Sequence, residues 1–320
     1  MTESNGTTRW SLLADRSLGL TVDSRLRSAA ETWVPLHTPP LGASATAAAT
    51  IDVRYGGSPA PGPPAGPPTL RLGDVEARVD DAGGHVLLVG RSGVSGTVDL
   101  AGRRSEILAT DPSPATAADL YSMLTVSSAF LLGRLDRALV HAGAVLQPGG
   151  GAWLLVGDAR AGKTTTGLNL VTSGWDYLSD DQVVLSLERE DSPWVEGWLR
   201  PFHVDAGWAA GRWGERRESV DPSSVGPGQW QRQATLAGAF ILDLEPASPT
   251  NVEPLSHAEA FAAIVRQTPW LFADGGKAAT VMALLIAVTQ RPMFRLRLGS
   301  DTYRDAARLL HCLGPALQGA

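Results

Sequence analysis

The octapeptide GDARAGKT, Gly157–Thr164, decides how this 320-residue chain is read. It fits the pattern G-x-x-x-x-G-K-[ST], and its flanks are the ones that pattern requires. The apolar run Ala152–Val156 before it predicts a strand, and KTTTGLNLVTSG after it predicts a helix halted by Gly174. Such a loop turns the backbone N–H groups from Ala159 to Thr164 inward, where they can cradle phosphate oxygens. The helix N-terminus adds partial positive charge. Of 27 basic residues only Lys163 and Lys277 are Lys; the others are Arg. A compact ammonium on a flexible stem reaches β- and γ-phosphates as a point charge, whereas a planar guanidinium fits the cradle poorly. Gly157, Asp158, Ala159, Arg160, Ala161, Gly162, Lys163, Thr164 and Thr165 are therefore read as the nucleotide-binding residues. The Thr164 hydroxyl is read as a Mg²⁺ ligand.

Around this octet the pattern is one of strands alternating with helices. ALVHAGAVLQ and GAWLLVG predict strands on either side of the turn Pro148-Gly149-Gly150, and YLSDDQVVLSL predicts another. Further on, ATLAGAFILDLE and MFRLRLGS predict strands. Ser256–Val265 predicts a helix with Ser256 as cap and Glu259 at the capping-box position, and TYRDAARLLHCLGPAL a terminal helix. Upstream, residues 46–100 predict short strands in antiparallel pairing, interrupted by a proline- and glycine-rich loop from Gly56 to Pro68. Ser113-Pro114 predicts a helix start, and the helix is expected to end near Arg137. The expected architecture is α/β. A β-rich N-terminal section with a connecting helix spans residues 1–137, and the nucleotide-binding domain spans 138–320.

A net charge of −6 argues against a general nucleic-acid partner or an anionic membrane surface. The N-terminus lacks a basic region followed by an apolar one, and Val281–Val288 is far short of a bilayer span, so a cytoplasmic location is expected. One cysteine, Cys312, excludes an internal disulfide framework, and no His/Cys set has structural-zinc spacing. A homo-oligomer is left open.

A phosphate cradle alone does not choose a reaction. Asp180 and Asp181, adjacent and flanked by apolar residues, can divide the labour between holding Mg²⁺ and accepting a proton; the bland reading is a solvated turn. From His141 to Leu185 the sequence HAGAVLQPGGGAWLLVGDARAGKTTTGLNLVTSGWDYLSDDQVVL resembles the core of HPr kinase/phosphorylase and its stand-alone relatives, which share a nucleotide-binding core with phosphoenolpyruvate carboxykinase. The shared features are a His at the start of a strand, the phosphate loop, a helix ending in Gly, and an Asp-Asp pair. The resemblance covers about 45 residues closely, the C-terminal remainder diffusely, and residues 1–110 scarcely. It implies ATP- and Mg²⁺-dependent transfer of a phosphoryl group to a hydroxyl, typically serine, of a peptide, protein or small molecule. Natural-product peptide tailoring is one setting for such relatives. By this resemblance Asp180 is the catalytic base, Lys163 and Thr164 hold phosphate and Mg²⁺, Asp181 supports the metal or orients Asp180, and His141 positions the site.

The chain departs from that family at Ala159, where Ser is frequent, and in lacking a Glu-x-Arg-Gly segment. Glu196 and Arg200 lie in roughly that region. Phosphorolysis is therefore not expected, and because the N-terminal section does not resemble that of the family's HPr-modifying enzyme, neither is HPr itself as substrate. A competing carboxylate is Asp243, which with Glu245 follows four apolar residues. If its strand lay beside the loop's strand, a plain ATPase would be the reading. A nucleotide-sensing module without an acceptor is a third. Trp194, Trp198, Trp208, Trp213 and Trp230, with Arg212, Arg216 and Arg217 among them, are either an acceptor-binding lid or a packed insertion; His203 lies beside them.

Overall fold

The computed structural model describes residues 6–31, 46–56, 67–80, 82–187, 192–198, 200–205, 217–303 and 305–318. The chain forms two compact units, Met1–Ala138 with Pro269–Met282, and Leu139–Thr268 with Ala283–Ala320. Both sheets and helices are abundant, so the class is α/β.

In the first unit, β1 (Thr7–Ser11), β2 (Leu18–Asp23), β3 (Ala49–Tyr55), β4 (Leu70–Leu72), β5 (Val75–Val79), β6 (His85–Gly90), β7 (Ser95–Asp99) and β8 (Arg104–Ala109) make one sheet. Its order is β1-β2-β3-β8-β7-β6-β5-β4. The run TLRLGDVEARV is a hairpin, because Gly73 takes a left-handed turn (φ +57°) and Leu72 pairs back onto Val75. The expectation of antiparallel pairing fails at β3, which is parallel to both β2 and β8. The connection between β2 and β3, which includes α1 (Arg27–Glu31), is long enough for a crossover, so the chain is not forced to reverse as it would be in a hairpin. The sequence reading also missed β1, β2 and β8.

Helix α2 (Pro114–Gly133) starts as expected. The Ser113 hydroxyl accepts the Thr116 N–H at 3.3 Å and Pro114 occupies the first turn. It stops four residues short of Arg137. Its length and composition are those of a membrane span, but its most apolar window is mostly buried within the fold, as in a core helix. Polar groups on it are satisfied inside: Ser127 bonds Ser105 at 2.9 Å, and Asp119 accepts the Ser92 N–H and hydroxyl at 2.7 and 2.6 Å. Most of the Gly56–Pro68 loop lies outside the described residues.

The second sheet contains β9 (Ala138–Val140), β10 (Ala142–Leu146), β11 (Ala152–Val156), β12 (Asp176–Ser179), β13 (Val183–Leu187), β14 (Pro193–Gly197), β17 (Gln233–Leu244), β18 (Asn251–Pro254) and β19 (Met293–Leu298). A separate ribbon pairs β15 (Phe202–Asp205) with β16 (Arg217–Val220). The order β12-β10-β11-β17-β14-β13-β9, with β19 on β17 and β18 on β19, puts β11 between β10 and β17. β17 runs parallel to β11, and β12 also points the same way, since β10 is antiparallel to both of its neighbours. The carboxyl ends of β11, β12 and β17 therefore share one edge. In open α/β sheets that edge is where ligands bind.

Helices α3 (Lys163–Thr172) and α6 (Ala306–Gln318) cover a core in which Trp153 stacks on Phe240 at 4.7 Å. α4 (His257–Arg266) carries the full capping box, Ser256 and Glu259 bonding reciprocally. α5 (Ala278–Thr289), which contains the apolar run Val281–Val288, was not expected as a helix. Two expected strands are each broken once, ALVHAGAVLQ at His141 and YLSDDQVVLSL at Asp180–Gln182. Both breaks fall on the shared edge.

Candidate active site

β11 is buried along its whole length and delivers the loop at its carboxyl end. Gly157 has no room for a side chain, since a Cβ there would lie 2.9 Å from the Ala161 Cβ and 3.0 Å from the Leu242 carbonyl. Arg160 and Gly162 both adopt left-handed backbone (φ +68° and +98°), the first at a cost of about 1–2 kcal/mol for a residue with a Cβ. No side chain caps α3 at Gly162, so the first-turn amides of Lys163, Thr164 and Thr165 lack the usual acceptor. Ala159 and Ala161 fill the loop without adding polar groups.

Lys163 is only 8% exposed. Its ammonium donates to the Gly157 and Asp158 carbonyls at 2.7 and 3.1 Å. Burial pulls its pKa down, opposed by the charges of Asp181, Asp180 and Asp158. Those three carboxylates are thus the ones whose field Lys163 feels.

The Asp-Asp pair splits into two environments. Asp180 is 7% exposed; its Oδ2 accepts a long 3.4 Å bond from the His203 N–H, and its Oδ1 is buried without a hydrogen-bond partner. Burial raises its pKa to about 6, and the neighbouring Asp181 pushes the same way, while the Thr164 hydroxyl, the His203 amide and Lys163 hold it back. Asp181, by contrast, has a side chain 42% exposed and meets His141 Nε2 through Oδ1 at 2.9 Å. The turn between them and β13 is fastened by neighbours: the Ser179 hydroxyl donates to the Gln182 and Trp198 carbonyls at 2.5 and 3.0 Å.

His141 sits where the strand breaks because its N–H leaves the ladder for the Gln267 carbonyl at 3.0 Å. Its Nδ1 faces Gln267 Oε1 at 2.9 Å, and Gln267 Nε2 donates to Asp158 Oδ1 at 2.8 Å. Gln267, the residue that ends α4, was missed by sequence reasoning; nothing in its local pattern distinguishes it from any polar helix terminus. It also borders a cavity of about 270 Å³ lined by the loop, Leu242, Asp243 and Ala263.

The strand order set as the condition for the competing carboxylate is met. β17 does lie beside β11, and Asp243 borders the same cavity as the loop. Its carboxylate, however, is 53% exposed and paired with Arg295 at 3.5 Å, and Glu245 faces Arg297 at 3.4 Å. Glu196 is likewise engaged, by Arg232 at 3.2 Å, and the Arg200 carbonyl accepts the Tyr177 hydroxyl.

Three of the clustered tryptophans are described, and the two whose surroundings are clearest pack structurally. Trp198 is buried, and its backbone N–H donates to the Gln182 carbonyl at 3.1 Å. Trp230 lies edge-on to Tyr177 at 4.9 Å and donates to Asp221 at 2.9 Å. Trp194 lies in β14. Trp208, Trp213, Arg212 and Arg216 lie outside the described residues, and with them most of the expected lid. His203 belongs to β15; its ring faces the Pro201 carbonyl at 3.1 Å and the Ser219 hydroxyl at 3.4 Å.

Among the described residues no three His, Cys, Asp or Glu side chains gather as a metal cage. Mg²⁺ held with a nucleotide needs only one or two carboxylates beside phosphate and water oxygens, so Thr164 and the Asp pair are a sufficient donor set. The uncapped α3 amides, the buried ammonium and the orphaned Asp180 oxygen suit a triphosphate and its cation.

No protein-family model matches the chain, and no curated protein matches it. Among the solved structures that do match is that of the HPr(Ser) kinase/phosphatase from Coxiella burnetii. It is 11% identical, with a TM-score of 0.32, over 57% of this chain and 97% of that one. A likeness this distant carries no argument about function, which rests on the residues of the site themselves.

Proposed function

We propose that the protein is a phosphotransferase that moves a phosphoryl group from Mg·ATP to a hydroxyl, with serine in a peptide, protein or small molecule as the acceptor class. The observation that carries this reading is Asp180. A carboxylate buried to 7% exposure, with one oxygen unpartnered and a pKa near 6, is held beside the lysine of a phosphate-binding loop. An ordinary structural aspartate would be paired or solvated.

Bound, Mg·ATP supplies the phosphoryl group. Lys163 and the amides from Ala159 to Thr164 bind its phosphates, and Thr164 and Asp181 are the residues that would hold the cation. Asp180 takes the proton from the acceptor hydroxyl as the new oxygen–phosphorus bond forms and the bond to ADP breaks. A pKa near 6 leaves Asp180 mostly ionised at neutral pH, and about a hundredfold more basic than an ordinary aspartate.

The test is mass spectrometry of reactions containing Mg·ATP with serine or serine peptides. The reading predicts a gain of one phosphate on a hydroxyl, lost in Asp180→Asn while nucleotide binding persists. Lost nucleotide binding with retained transfer sinks it. A second reading, a plain ATPase using Asp243, is favoured by the parallel neighbourhood of β11 and β17; its mark is ADP release without a phosphorylated product.

A further inference from the structure

Gln267 joins parts of the site that are far apart in sequence, and the chemistry of its amide leaves a single arrangement. A carboxylate oxygen accepts, so the Gln267 group 2.8 Å from Asp158 Oδ1 is the NH₂ end. The carbonyl end then faces His141 Nδ1 at 2.9 Å, and a carbonyl can only accept, so Nδ1 carries a hydrogen. The ring is thereby oriented with Nε2 toward Asp181 Oδ1, 2.9 Å away. Gln267 is itself only 6% exposed, so water cannot readily substitute for either partner. Its backbone carbonyl adds a further hold by accepting the His141 N–H at 3.0 Å. The result is an unbroken chain, Asp158–Gln267–His141–Asp181, running from the second residue of the phosphate loop to the carboxylate beside the catalytic base.

We propose that Gln267 is a positioning residue that holds the His141 ring through Nδ1 and ties the conformation of the phosphate loop to the placement of Asp181. The catalytic part of this proposal rests on the phosphotransferase reading; the hydrogen-bond chain does not. A loop shift that moves Asp158 pulls on the chain, so loading of the loop and alignment of the Asp pair are one event. The substitution Gln267→Glu keeps an acceptor for His141 but sets two carboxylates against each other at Asp158. Adding Asp158→Asn supplies the missing donor from the loop side and closes the chain again with its polarity reversed.

Two measurements test this. The first is ¹⁵N NMR of the nucleotide-free protein, with the His141 signals assigned by their loss in His141→Gln. Nδ1 is expected to be protonated, and an unprotonated Nδ1 overturns the proposal whatever the enzyme's activity. The second is phosphotransfer from Mg·ATP. Gln267→Glu should lower kcat on the order of 10- to 100-fold, the range seen when supporting hydrogen-bond partners are lost, with a smaller change in KM for ATP. Asp158→Asn added to Gln267→Glu should recover on the order of tenfold, because the two sites share one interaction. A double variant no better than Gln267→Glu, or a Gln267→Glu protein of normal kcat, overturns the positioning role. If Gln267→Glu does not fold alone, the double variant compared with wild type and the NMR measurement at Nδ1 still decide. Should the wild-type protein transfer phosphate to nothing, the phosphotransferase reading fails, while the Nδ1 measurement judges the chain separately.

Discussion

Replacing Asp180 by Asn should stabilise the folded protein at neutral pH while removing its activity, and the size of the gain follows from the burial of the carboxylate. The folded-state pKa is raised from 3.8 to about 6, so between those values the folded protein holds a proton that the unfolded chain has released. More protons on the folded state means that stability falls as pH rises. The favourable contribution is complete below the unfolded pKa and is lost as the pH climbs through the folded one. About two units correspond to about 3 kcal/mol, lost between roughly pH 4 and pH 7. Asn is nearly the same shape and does not titrate, so the difference in unfolding free energy between Asp180→Asn and wild type should grow by up to about 3 kcal/mol over that interval. For a unit of this size that is about 6–12 °C in Tm. The assay is urea or thermal unfolding of both nucleotide-free proteins at pH 4 and pH 7.5. Titrations common to the two proteins cancel in the difference. A gap that stays constant across the two pH values, or one that narrows, refutes the claim that Asp180 is a strained, desolvated carboxylate, and the base assignment loses its main support. Such a gain in stability with loss of function is the trade expected where a site holds a group in an unfavourable environment.

The same geometry sets four further outcomes. Transfer activity should rise with pH through about 6 as Asp180 ionises, read as a limb of the kcat profile that is missing in no-base variants. Lys163→Arg should bind ATP as poorly as Lys163→Met, weakened on the order of a hundredfold in calorimetry, because the ammonium lies buried between two carbonyls at 2.7 and 3.1 Å that a guanidinium cannot occupy; binding close to wild type would contradict this. Asp243→Asn should leave a phosphorylated product, since its carboxylate is paired with Arg295; abolished turnover with intact folding would bring the ATPase reading forward. Gly197→Ala should destabilise by several kcal/mol in denaturant titration, because a Cβ there lies 2.1 Å from the Leu178 carbonyl oxygen and backbone cannot yield as a side-chain tip can.

What could be read directly from the residues was local. Strand Ala152–Val156, the loop and helix Lys163–Thr172 follow from contiguous residues, because apolar runs, left-handed glycines and caps specify backbone conformation over a few positions. The same holds for the Ser113 cap and the Ser256–Glu259 box. The pairing of Asp180 with Asp181 was visible too, but not that one is buried and the other half-exposed. That difference depends on β15 and Trp198 closing over the turn, and both come from later in the chain. The break at His141 was invisible because its N–H goes to a partner far along the chain, and the turn at Asp180–Gln182 was legible only as the bland alternative, its Gln182 carbonyl being taken by the Trp198 N–H. The place of Asp243 depended on strand order, which alternation within a strand does not encode. Gln267 contacts Asp158 across 109 residues and His141 across 126, and only the folding of α4 back toward the sheet edge brings them together. Local sequence chose the loop and the helix after it, because backbone conformation is decided over a few residues. The tertiary structure chose which acid faces it and what holds that acid in place, because burial and hydrogen-bond partners are properties of chain segments that meet only when the sheet is complete.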